Sequence, residues 1–211
     1  MQYRFIVFLL FLCVFANSQK LRIAVAANAQ FVVAELKKTF AKQTGIDADL
    51  TVGSSGKITA QIEQGAPFDV FMSADMKYPQ ELYSKGFTTE KPAEYAYGTL
   101  VMWSLHNLDL SKGLTVVLNN DVQKIAVANP KLAPYGEAAL QALTKQNILQ
   151  EVKPKIVYGE SISGVNQYLL SGAVDIAFTS KSVVLDSAFA NRGVWKEVDE
   201  NLYTPIAQGV V

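Results

Sequence analysis

Strand-like and helix-like runs alternate along this chain, and the alternation occurs twice. Leu21–Ala27 reads as a strand, Ala29–Gln43 as a helix, Ala48–Gly53 as a strand, Gly56–Gln64 as a helix, Phe68–Ser73 as a strand and Tyr78–Lys85 as a helix. Short β-branched runs separated by amphipathic stretches imply βαβ units, hence a parallel sheet with helices on its faces. A second series follows: strands at Leu100–Leu105, Lys124–Ala128, Lys155–Tyr158 and Val174–Thr179, with helices at Tyr135–Gln146 and Ser161–Leu170.

The two series share letters as well as rhythm. "IAVAAN" at Ile23–Asn28 returns as "IAVANP" at Ile125–Pro130. At a fixed offset of 106, Gly53, Ser55, Gln61, Asp69, Val70 and Ser73 fall on Gly159, Ser161, Gln167, Asp175, Ile176 and Thr179. The expected fold is therefore α/β with two doubly wound lobes around a central cleft. The first lobe spans 19–97 with a return segment at 204–211, and the second spans 98–203.

Such sheets bind ligands where strand C-termini meet helix N-termini. With the two lobes facing each other, the candidate loops are those at Asn28, Ser54–Ser55, Pro134–Tyr135 and Ser161–Ile162. One of them, "GSSGK" (Gly53–Lys57), looks like the end of a nucleotide-binding loop. A P-loop ending on Gly56-Lys57 needs glycine at position 51 and Ser or Thr after the lysine; the chain has Thr51 and Ile58. What remains is a Ser-Ser-Gly turn at a helix N-terminus, whose free N–H groups and positive dipole end suit an anion. Gly56 would let the backbone approach closely. The competing reading is that Ser54, Ser55 or Ser161 merely caps its helix, a role that contributes about 1 kcal/mol. Tyr135 offers a phenol donor or a packing ring.

Composition narrows the ligand. With 19 basic and 19 acidic side chains, there is no overall field to gather polyanions, so nucleic acid is not an expected partner. The candidate loops hold no Arg–carboxylate clamp for an amino acid and no Tyr/His/carboxylate cluster for iron. A fully deprotonated oxyanion needs only donors, and neutral hydroxyl and N–H groups provide them.

Residues 1–18, "MQYRFIVFLLFLCVFANS", carry one Arg, an apolar run from Phe5 to Phe15, and Ala16 and Ser18 at signal-peptidase spacing. They read as a cleavable secretory signal. The apolar run is shorter than the roughly 20 residues of a spanning helix. Cys13 is the only cysteine, so the cleaved chain would have neither disulfides nor thiolate metal sites.

"GSSGKITAQIEQGAPFDVFMSAD" (Gly53–Asp75), "VANPKLAPYGEAAL" (Val127–Leu140), "KPKIVYGESISGVNQYLLSGAVDIAF" (Lys153–Phe178) and "YTPIAQGVV" (Tyr203–Val211) resemble the periplasmic molybdate-binding proteins, receptor subunits of ABC importers. The resemblance implies a type II periplasmic-binding-protein fold that closes on molybdate, and on tungstate as well. It also implies a permease partner in the inner membrane, a periplasmic location, a monomer, no catalytic residues, and no cofactor or metal beyond the oxyanion. Carried over by motif, the ligand set is Asn28, Ser55, Tyr135 and the backbone N–H of Ile162, with Ser54, Gly56 and Ser161 in support. Some members place a ligand tyrosine where this chain has Thr179; "APYG" supplies the phenol here instead, so Thr179 is not expected to bind. The family normally continues beyond the strand that ends at Val211, so the resemblance leads to the expectation of an incomplete product with uncovered apolar surface on lobe one and lowered stability.

Two rivals stand beside this reading. One is a receptor of the same fold for sulfate or phosphate. The other is a secreted serine hydrolase using Ser55 or Ser161, whose base would have to be His106, the only histidine.

Overall fold

A computed structural model describes residues 20–211; the segment read as a signal, residues 1–18 with Cys13, lies outside them. In chain order the first elements are β1 (Leu21–Ala26), a 3-10 turn (Ala27–Ala29), α1 (Gln30–Thr44), β2 (Ala48–Gly53), α2 (Ser55–Glu63), β3 (Val70–Met72), α3 (Lys77–Ser84) and β4 (Ala93–Gly98). The second half comprises β5 (Leu100–Ser104), a 3-10 stretch (Leu110–Leu118), β6 (Ile125–Ala128), α4 (Pro134–Lys145), α5 (Leu149–Val152), β7 (Ile156–Gly159), α6 (Ile162–Leu170), β8 (Ile176–Ser180), α7 (Lys181–Val184), β9 (Val194–Glu197) and β10 (Ile206–Val210).

The strands form two five-stranded sheets, β2-β1-β3-β10-β4 and β7-β6-β8-β5-β9. Three strands of each are parallel neighbours, and one antiparallel strand follows: β10 against β3 in the first sheet, β5 against β8 in the second. That antiparallel strand always arrives from the other lobe. β5 follows β4 across Thr99, and β10 returns after β9. The chain thus crosses twice, and each lobe is completed by a strand threaded from its neighbour.

The repeat has a physical counterpart at the start of each sheet. Asp69 accepts the Arg22 backbone N–H at 2.7 Å and donates its own N–H to the Arg22 carbonyl at 2.8 Å. Asp175 does the same with Lys124, at 2.8 and 2.9 Å. Each aspartate locks the entry of its third strand to that of its first, which explains why this pair recurs at the offset of 106.

Several expected boundaries shift. Ala27 belongs to the 3-10 turn, not to β1, and the third strand shortens to Val70–Met72. α2, α4 and α6 begin at Ser55, Pro134 and Ile162, each one residue from the start read in the sequence. Ser54 therefore stands before α2 as Ser161 stands before α6, and the structural partner of Ser55 is Ile162 rather than Ser161. β4 and β9 were missed in the sequence because edge and crossing strands such as "AEYAYG" carry little apolar alternation, whereas β10 is the return strand expected before Val211.

Packing is unequal. The second lobe holds the main core, where Trp103, Leu100 and Met102 of β5 lie fully buried with Ile125, Leu143 and Ile176; burial of each such side chain is worth about 1.5–3 kcal/mol. The first lobe is built on two smaller clusters, one around Ile58, Phe71 and Leu82 and one around Val25 and Val33. Within α1 only Val33 is buried, while Val32, Leu36 and Phe40 stay exposed.

Candidate functional site

The parallel strands of both sheets end facing each other, and the turns beyond them enclose one small cavity. From the first lobe come Asn28 in the 3-10 turn after β1, and Ser54 and Ser55 at the β2–α2 junction; from the second come Tyr135 at the start of α4 and Ile162 at the start of α6. Tyr135 is held there by its neighbour: a Cβ on Gly136 would collide with the Ala128 carbonyl, so only glycine lets α4 start this close to the end of β6. The remaining lining is mostly Ala and Gly, and none of the described lining residues is charged. The free space is about 10 Å³, in a measure where one water needs roughly 10–15 Å³. That is the room of about one water, so a larger anion requires the walls to part.

Donor capacity converges on that space. Ser55 Oγ accepts the Ala74 N–H at 2.9 Å, which leaves the hydroxyl proton to donate elsewhere. Ser55 and Ile162 are the first residues of their helices, so their N–H groups have no intrahelical partner. The buried Tyr135 phenol is pushed well above the usual tyrosine range, chiefly by burial and then by Tyr95 and Tyr203. It stays protonated, and so a donor. Asn28 donates through Nδ2 to Gln208 Oε1 at 2.8 Å. Two buried atoms of the lining, Asn28 Oδ1 and Ser54 Oγ, have no hydrogen-bond partner among the described residues. Buried polar groups are seldom left so, and an unpaired polar atom at a cavity wall points to a ligand.

The other candidates have different employment. The Gly56 N–H donates across the cleft to the Leu132 carbonyl at 2.9 Å. Ser161 Oγ accepts the Gly164 N–H at 3.4 Å, capping α6. Thr179 gives its hydroxyl proton to Asn166 Oδ1 at 2.7 Å, deep in the second lobe. His106 follows β5, which runs antiparallel to β8, and lies beside Asp175 at 3.7 Å, at the sheet edge opposite the cleft. Among the described residues no histidine therefore stands beside Ser55 or Ser161, and Glu160, next to Ser161, is paired with Lys57, so the Ser–His pairing of a serine nucleophile is lacking.

The lobes are in contact around the cavity. Besides Gly56–Leu132, Tyr78 Oη donates to the Lys131 carbonyl at 3.1 Å, Ser182 Oγ to the Asn28 carbonyl at 2.6 Å and Ser163 Oγ to Gln30 Oε1 at 3.2 Å, while Lys57 Nζ meets Glu160 at 2.6 Å. Sequence reading missed Tyr95 and Gln208, which stand behind Asn28 on the crossing strands β4 and β10. A lone glutamine within the apolar "IAQGV" was the available signal.

Two α/β lobes, linked by paired crossings and closed over a small donor-lined cavity, define a solute receptor of the periplasmic-binding-protein type. The profile of the family described as "Bacterial extracellular solute-binding protein" matches residues 21–211, and the chain belongs to that family. It is 34% identical to the molybdate-binding protein of Azotobacter vinelandii over 197 residues, 93% of this chain and 78% of that one. Against the molybdate-binding protein of Rhodobacter capsulatus it is 36% identical over 190 residues, 89% of this chain and 73% of the relative. The solved structure of the Azotobacter vinelandii periplasmic molybdate-binding protein superposes with a TM-score of 0.86 at 36% identity, covering 91% of this chain and 84% of that one.

Proposed function

We propose that this protein captures molybdate, and tungstate with it, between its lobes and hands it to an ABC importer. The observation that carries the reading is a small cavity between the lobes where neutral hydroxyl and N–H groups converge and no lining residue is charged, the chemistry that suits an acceptor-only oxyanion. Asn28, Ser55, Tyr135 and the Ile162 N–H are the proposed ligand set, with the Ser54 hydroxyl in support. The molybdate-binding relatives support the choice of anion. The lobes divide at Tyr97–Gly98 and Tyr203–Thr204, and closure about these crossings follows from an anion that prefers donors from both walls at once. The working form is a monomer, secreted to the periplasm by a cleavable signal, docking on a permease in the inner membrane.

A thermal-shift and calorimetric panel of molybdate, tungstate, sulfate and phosphate tests this. A ligand at 100 times its Kd should stabilise the fold by about 2.7 kcal/mol. Molybdate and tungstate are expected to do so; stabilisation by sulfate or phosphate alone would transfer the site to those anions. His106→Ala should leave the response unchanged.

A further inference from the structure

Behind the cavity, the Gln208 side chain is buried between Asn28 and Tyr95. Its Oε1 accepts from Asn28 Nδ2 at 2.8 Å and lies 2.9 Å from Tyr95 Oη. The same Tyr95 oxygen is 3.2 Å from the Ser73 carbonyl. A phenol has one proton, so of these two acceptors one goes unserved. Asn28 is mismatched too, because anchoring Nδ2 on Gln208 leaves Oδ1, an acceptor, buried at the cavity wall without a partner. An acceptor there repels a fully deprotonated oxyanion and welcomes one that still carries an O–H.

Turning both amides by half a revolution removes both faults. Gln208 Nε2, which has two protons, would then donate to Asn28 Oδ1 and to Tyr95 Oη. Tyr95 would give its own proton to the Ser73 carbonyl, and Asn28 Nδ2 would face the cavity as a donor. Gln208 Oε1 would move to the side of Gly98, where Nε2 now stands so near that a Cβ on Gly98 would lie 2.8 Å from it.

We propose that Gln208 is the positioning residue that sets the polarity of the site: with the pair of amides turned, Gln208 holds Asn28 as a donor toward the cavity and disfavours anions that carry a proton. This rests on the oxyanion reading above. Gln208 touches no ligand; it acts through Asn28, from the strand that returns to the first lobe.

Gln208→Glu tests it, because a carboxylate only accepts and holds Asn28 in the unturned state. Molybdate affinity, compared with the parent at each pH, should fall by about 10- to 100-fold at neutral pH. It should recover as the new carboxyl is protonated and gains a proton to donate to Asn28 Oδ1. Tyr95 and Tyr135 are both raised by burial, Tyr95 to about 12, so neither contributes to that profile. Gln208→Leu should weaken binding at every pH alike. Equal affinity of Gln208→Glu and the parent at neutral pH, or a loss as flat with pH as that of Gln208→Leu, overturns the inference; a parent that binds no molybdate in the same titration overturns the oxyanion reading instead. Should the variant not fold, the side-chain amide resonances of the parent decide. Those of Gln208 must exchange slowly with solvent, because its Nε2 protons serve Asn28 Oδ1 and Tyr95 Oη, and a Gln208 amide that exchanges as fast as an exposed one contradicts the turned pair.

Discussion

The backbone N–H of Gly56 donates to the Leu132 carbonyl at 2.9 Å, so the start of α2 on one lobe rests directly on the backbone of the other. A Cβ at position 56 would stand 2.6 Å from Tyr78 Oη and 3.1 Å from Leu132 Cα. The tyrosine ring has room to swing; the Leu132 backbone does not. Gly56→Ala should therefore hinder closure at a cost of about 1–3 kcal/mol, the usual range for overpacking. Calorimetry should read this as roughly a 5- to 150-fold loss of molybdate affinity, with unfolding of the ligand-free protein little changed. Affinity equal to the parent would mean that the lobes close without this contact.

Ser54 and Ser55 are neighbours with opposite prospects. Ser55→Ala strands the buried Ala74 N–H, which should destabilise the ligand-free protein by about 1–3 kcal/mol as well as weaken binding. Ser54→Ala deletes a hydroxyl that has no partner, so ligand-free stability should hold or rise slightly while affinity falls. Chemical denaturation beside calorimetry separates the two. A ligand-free penalty for Ser54→Ala as large as that for Ser55→Ala would show that the Ser54 hydroxyl is already bonded in the empty protein.

That contrast also marks how far the sequence could be read. The loops that carry Asn28, Ser55, Tyr135 and Ile162 were found because parallel sheets present their strand ends on one edge and two related series put two such edges face to face; the family resemblance singled out these four within them. The structure brings all four to one cavity. The separate duties of Ser54, Gly56 and Ser161 were not legible, because each depends on a partner fixed by register: an unfilled cavity wall, the Leu132 carbonyl, the Gly164 N–H. Gln208 lies 180 residues from Asn28, and no local pattern signals a pairing made only when the chain crosses back.

Lys57 and Glu160 bridge the cleft mouth at 2.6 Å, with side chains 50% and 55% exposed. An exposed pair is worth under about 1 kcal/mol and is screened by salt. Lys57→Ala should weaken molybdate binding less than fivefold or so at low ionic strength, with the difference gone by about 1 M salt, where charges are screened within roughly 3 Å. Filter binding across a salt series reads this directly. A loss that persisted at high salt would place the Lys57 ammonium on the anion instead of on Glu160.

Asp75 makes one contribution to the pH dependence of stability. Its carboxyl, half-buried between the lobes, accepts from the Ser73 hydroxyl at 3.1 Å and the Tyr78 N–H at 3.2 Å. Burial nonetheless raises its pKa; those two bonds and Lys77 oppose the rise, and Glu137 on α4 adds a little to it. A carboxyl that holds its proton more firmly folded than unfolded gives stability fully present below the ordinary aspartate value of about 4 and lost as pH rises through the raised one. Asp75→Asn keeps an acceptor for Ser73 and Tyr78 and removes the titration. The variant should therefore gain on the parent as pH is raised from about 4 to 7, read as the difference between their ligand-free thermal midpoints. A difference that stayed flat or ran the other way would mean that the two hydrogen bonds outweigh burial at this carboxylate.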